Sequence, residues 1–92
     1  MSAAASARLV VLISGHGTNL QAILDACAEG KLNARVAAVI SNQAEAFGLE
    51  RARHAGVEAV ALPKQANQAR RDYDAHLAER VAGYAPDWVV LD

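Results

Sequence analysis

The chain has 92 residues, 53% hydrophobic, 21% charged and only 4% aromatic, an aliphatic content that excludes a disordered tail or low-complexity linker. A formal net charge of −1 leaves no basic footprint for nucleic acid, and the single Cys27 cannot make an internal disulfide or a zinc site. The length allows one domain at most.

Residues 1–7 read as a disordered tail rather than a targeting segment. The apolar run behind them, Leu9 to Ile13, is shorter than the core of a signal peptide, and Ser14-Gly15 stops it. No stretch approaches the roughly 20 apolar residues that span a bilayer. The expectation is a cytoplasmic protein with no membrane or nucleic-acid partner.

Strand and helix then alternate. Leu9 to Ile13 is a continuous aliphatic run, as in a strand buried on both faces. After Gly17, residues Leu20, Ile23, Leu24 and Cys27 share one helical face, and Gly30 closes that helix. Val36 to Ile40 is the second strand. Ala44 to Ala55 reads as a helix with a small-residue face, ended by Gly56. Val57 to Leu62 alternates more than the first two strands, which puts it near a sheet edge, and Pro63 to Asn67 is a loop. A third helix carries Tyr73, Leu77 and Val81 at four-residue spacing and ends at Gly83, and Trp88 to Leu91 is the last strand.

The resulting β-α-β-α-β-α-β order predicts an α/β fold, a Rossmann-like parallel sheet with right-handed crossovers and alternating helices. The last strand has no closing helix, so its outer edge is expected to be unpaired and open to self-association.

In such folds ligands bind beyond the carboxyl ends of the strands, beside the first βα turn. That turn is Ser14-Gly15-His16-Gly17-Thr18-Asn19-Leu20. Glycine lets the backbone approach a phosphate, and a helix start offers free N–H groups and partial positive charge. Thr18 and Asn19 add a hydroxyl and an amide. The same residues also fit a plain tight turn in which Thr18 or Asn19 merely caps the helix. A dinucleotide fingerprint would need a third glycine where Leu20 stands and an acid near Ser41-Asn42; a Walker loop would need Gly-Lys-Ser/Thr. Both are missing, so a single phosphate without metal is the better fit.

Three blocks carry a family resemblance: Val11-Leu-Ile-Ser-Gly-His-Gly-Thr-Asn-Leu-Gln-Ala-Ile23, Ile40-Ser-Asn-Gln-Ala-Glu-Ala-Phe-Gly-Leu-Glu-Arg-Ala52 and Tyr84-Ala-Pro-Asp-Trp-Val-Val-Leu91. In order and spacing they resemble the opening of the phosphoribosylglycinamide formyltransferase (glycinamide ribonucleotide transformylase) family. The resemblance implies a purine-biosynthetic enzyme that moves a formyl group from the co-substrate 10-formyltetrahydrofolate to the amine of 5-phosphoribosylglycinamide. It assigns Gly17, Thr18 and Asn19 to the substrate phosphate. Within Asn67-Gln-Ala-Arg-Arg-Asp-Tyr-Asp74 it aligns Arg70 with a folate-contacting arginine, with Arg71 as the fallback; a solvated helix start is the bland reading of both. Leu91 would open the folate pocket's apolar wall or simply pack in the core.

The family's catalytic Asn, His and Asp fall in its second half, so residues 1–92 are expected to be the N-terminal phosphate-binding half of a formyltransferase domain, inactive alone. No catalytic residue and no metal site are assigned within them. Asp92 departs from the alanine usual at that position in the family. His16 reads as turn filler, His54 as a charge suited to a helix C-terminus, His76 as exposed and Cys27 as core filler. The competing reading is a non-catalytic module that binds a phosphorylated metabolite.

Overall fold

The computed structural model describes residues 6–92. Seven elements alternate: β1 (Ala7–Ile13), α1 (Thr18–Ala28), β2 (Ala34–Ser41), α2 (Phe47–His54), β3 (Glu58–Ala61), α3 (Arg70–Ala82) and β4 (Trp88–Leu91). All strand pairs are parallel, in the order β3-β2-β1-β4. The expected architecture is therefore present, with β3 on one edge as its alternation implied and β4 on the other. Of the tail expected over 1–7, residues 1–5 lie outside the described residues, and Ala7 is already the first residue of β1.

β3 starts one residue later than its sequence implies, and α2 three. The helix expected from Ala44 begins at Phe47, because the Ser41 hydroxyl accepts the Gln43 amide at 3.0 Å and the Ala46 amide donates to the Gln43 carbonyl at 3.1 Å. Such local side-chain and turn bonds compete with helix for the same amides.

The sheet has two unequal covers. On one face Leu9, Val11 and Ile13 of β1 and Val36 and Val39 of β2 pack with Leu20 and Leu24 of α1 and Leu49 and Ala52 of α2. On the other, Val10, Ile40 and Val60 meet only Leu77 and Val81 of α3, with Leu12, Leu62 and Tyr84 around them. No residue of α3 is fully buried.

Val36 and Val39 share a face although they are three residues apart. The register slips between Leu9 and Val10, so that Leu9 faces Val36 while Val10 faces Ala38, leaving Ala37 as an inserted residue. That bulge shifts the two-residue phase of β2 by one and turns Ile40 toward α3.

Arg8 ties the far end of the chain to β1. Its backbone N–H donates to the Asp87 carboxylate at 2.8 Å, and its Nε and Nη2 donate to the Tyr84 carbonyl at 3.0 and 2.7 Å. The clasp holds Ala85 in the left-handed region (φ +50°) just before β4. The Tyr84 hydroxyl donates to Glu58 at 2.6 Å, and that bond, with burial adding to it, pushes the phenol up from its ordinary value.

Candidate functional site

The chain leaves β1 toward β2 and β3, then returns to lay β4 on the opposite side of β1. Strand order reverses at β1, and a crevice outside the strand ends is expected at such a switch point. A crevice of about 280 Å³ lies there. Leu12, Ile40, Leu77 and Leu91 form its apolar wall, and Arg70, Asp74 and Asp92 stand around it. Leu91 is 78% exposed, so it lines the crevice instead of packing in the core.

The turn between β1 and α1 is shaped by Gly17. Its backbone is left-handed (φ +71°, ψ +39°), it occupies the N-cap position, and no side chain caps α1. Thr18 and Asn19 are the first helical residues, both exposed. The cap reading of Thr18 and Asn19 therefore falls: a capping side chain belongs to the residue before the first helical one. Among the described residues the Gly17, Thr18 and Asn19 amides meet no acceptor, as expected for a helix's opening turn. The next amide, of Leu20, donates to the Asp92 carboxylate at 3.3 Å. Asp92 is thus both a wall of the crevice and an anion already seated at the start of α1.

The start of α2 supports this turn. The Gly48 amide donates to the Gly15 carbonyl at 3.1 Å, and a Cβ placed on Gly17 would sit 2.9 Å from the Gly48 Cα. Two glycines let the two segments meet at backbone distance. One turn further along α2, Arg51 Nε donates to the His16 carbonyl at 2.7 Å, and its Nη1 donates to Gln21 Oε1 at 3.1 Å. The guanidinium lies 4.9 Å from the centre of the Phe47 ring.

On the other side of the sheet end, Arg70 opens α3. It is strongly exposed and 3.9 Å from Asp74, a separation typical of a loose surface pair. Arg70 borders the crevice, whereas Arg71 is not among its walls. Tyr73 also borders it; its hydroxyl donates to the Leu62 carbonyl at 2.7 Å, and burial, with the Asp74 charge adding, pushes the phenol up, so it stays a neutral donor.

The phosphate candidates and Arg70 therefore share the carboxyl end of the sheet but sit at the starts of helices on opposite faces, with Asp92 reaching toward both. The imidazoles of His16, His54 and His76 are exposed, and Cys27 is half-buried against the core, where burial raises its thiol. Among the described residues no group of three or more His, Cys, Asp or Glu side chains could hold a metal ion. No helix among them is long and apolar enough to cross a membrane. Arg51 and Gly48 escape a sequence reading because their partners lie 35 and 33 residues away; the only local signal is a glycine and an arginine three residues apart at the start of a helix.

Residues 7–92 match the formyl transferase family. The chain is 54% identical over 83 residues to the phosphoribosylglycinamide formyltransferase of Escherichia coli (strain K12), covering 90% of this chain and 39% of that protein. It is 44% identical over 85 residues to the phosphoribosylglycinamide formyltransferase of Haemophilus influenzae, covering 91% and 40%. Among solved structures it is similar to glycinamide ribonucleotide transformylase 1 from Symbiobacterium toebii, with a TM-score of 0.91 and 54% identity over 97% of this chain and 42% of that one. The chain spans about two fifths of the length of these relatives.

Proposed function

The chain belongs to the formyl transferase family, and from that membership we propose that it acts as, or within, a phosphoribosylglycinamide formyltransferase of purine biosynthesis. Its substrates are 5-phosphoribosylglycinamide and 10-formyltetrahydrofolate, and its setting is the cytoplasm. The observation that carries the reading is the row of free amides at Gly17, Thr18 and Asn19, beside a crevice at the switch point of the sheet.

The work of these residues follows from their geometry. Gly17 and the first turn of α1 present N–H groups and the positive helix end to the substrate phosphate, while Thr18 and Asn19 add side-chain donors without being tied up as caps. The crevice offers an apolar wall to a flat heterocycle, and Arg70 beside it offers a cation to a folate carboxylate. The co-substrate supplies the formyl carbon; attack by the substrate amine gives a tetrahedral oxyanion that needs hydrogen-bond donors and a proton path. By family resemblance the Asn, His and Asp for that step belong to segments that residues 1–92 do not include, so the proposal assigns these residues binding and not turnover.

Titrating the chain with inorganic phosphate and then with 5-phosphoribosylglycinamide, followed through backbone amide resonances, tests the site. Movement is expected at Gly17 to Asn19, and none there would defeat the assignment. Asn19→Ala should weaken phosphate by about 1–2 kcal/mol, roughly 5- to 30-fold, with stability in urea almost unchanged because no cap is lost. Lost stability with unchanged affinity would reverse that role. Formyl transfer restored by adding the remaining segment of a relative favours the enzyme; binding that no added segment converts to turnover favours the metabolite-binding module.

Self-association through β4 is part of the same proposal. Among the described residues its outer edge is unpaired, and Trp88 and Leu91 beside it are 67% and 78% exposed. Such an edge is a template for another strand. Apparent mass measured against concentration should rise, and a monomer throughout removes the idea.

A further inference from the structure

We propose that Arg51 is a positioning residue that sets the direction of the Gly17 amide by holding the other side of the same peptide group. The proposal rests on the assignment of the Gly17–Asn19 amides to a phosphate and adds the element that orients them. No cis peptide is present among the described residues, so the carbonyl of His16 and the N–H of Gly17 point in opposite directions across one rigid plane. Arg51 Nε anchors that carbonyl at 2.7 Å on the α2 side. The N–H is thereby turned away from α2, where it meets no acceptor among the described residues and is left for a ligand.

Gly48 holds the turn at the Gly15 carbonyl and against the Gly17 Cα, and Arg51 adds the contact that reaches the His16 carbonyl. The turn holds two glycines, and a Cβ added at Gly15 would meet nothing within 4 Å, so that side of the turn is open. Arg51 is itself held at two further points: Nη1 on Gln21 Oε1 at 3.1 Å, and its plane over Phe47. A planar fork can bond the turn and the first turn of α1 together while stacking; a lysine can reach one acceptor and cannot do all three. Among the described residues Arg51 has no carboxylate partner, unlike its neighbour Arg53, which pairs with Glu50.

The test uses the whole chain, inorganic phosphate as probe and backbone amide resonances as readout. Arg51→Met is expected to move the Gly17 amide resonance before any ligand is added and to weaken phosphate by about fivefold or more. Arg51→Lys should recover part of both effects, and Arg53→Met, which removes an equal charge from the same helix, should change neither. Phosphate affinity within about twofold of the parent for Arg51→Met, or an equal loss in Arg53→Met, overturns the proposal. If Arg51→Met does not fold, Arg51→Lys decides: a shifted Gly17 resonance with weaker phosphate supports it, and an unmoved resonance overturns it. Should phosphate move no amide at 17–19 even in the parent chain, the phosphate assignment fails on its own. The ligand-free Gly17 resonance in Arg51→Met then still decides whether Arg51 orients the peptide.

Discussion

Gly17→Ala is expected to cost about 2–5 kcal/mol of stability and, on the proposed phosphate assignment, to remove phosphate binding. Two penalties combine. An L side chain at φ +71° costs roughly 1–2 kcal/mol. The new Cβ would also lie 2.9 Å from the Gly48 Cα, and because that atom is backbone, no rotamer change relieves the contact; overpacking of this kind costs about 1–3 kcal/mol. A domain of this length has roughly 5–14 kcal/mol in all, so the loss is a large share. Gly15→Ala is the control, since its Cβ would meet nothing within 4 Å and its φ is not positive. Urea unfolding of the two variants checks the claim, and equal stabilities would refute it.

Leu49→Ala is the second large effect, at about 2–5 kcal/mol for a fully buried leucine reduced to alanine. α2 is an eight-residue helix whose buried set is Gly48, Leu49 and Ala52, so Leu49 is its one large anchor. Loosening α2 also loosens Gly48 and Arg51, the two groups that hold the turn between β1 and α1. Amide hydrogen exchange at residues 14–17 should therefore accelerate in the same variant. Leu77→Ala on α3 provides the comparison: that side chain is only half-buried in the thinner layer, and less than half the cost is expected. If unfolding experiments give Leu77→Ala the larger loss, the picture of unequal covers is wrong.

The strands and the glycine turn between β1 and α1 were legible because each is a local pattern. Leu9 to Ile13 and Val36 to Ile40 are unbroken aliphatic runs, and glycines next to Thr18-Asn19 after a strand carry their own chemistry. Arg70 was offered only by the family resemblance, its register anchored on Tyr73 and Asp74, and it borders the crevice. Features made by distant partners were not legible. Nothing in Val36 to Ile40 marks Ala37 as an insertion, because alanine and valine suit either face of a sheet. The late start of α2 depends on Ser41 capturing the Gln43 amide, against a stretch, Ala44 to Ala46, whose composition favours helix. Asp92 stood out only as a departure from a pattern; its bond to the Leu20 amide appears once β4 lies beside β1.

The clasp made by Arg8 bears on the order in which the molecule can be assembled during synthesis. β1 leaves the ribosome well before β4, one of its two neighbours, and the bond from Arg8 to Asp87 closes a loop of 79 residues. The Ala34–Ser41 segment can zip onto Ala7–Ile13 early, while the opposite flank waits until Trp88–Leu91 has been made. High contact order of this sort slows that closure and leaves an aliphatic ribbon without its second neighbour meanwhile, a window in which a chaperone has something to hold.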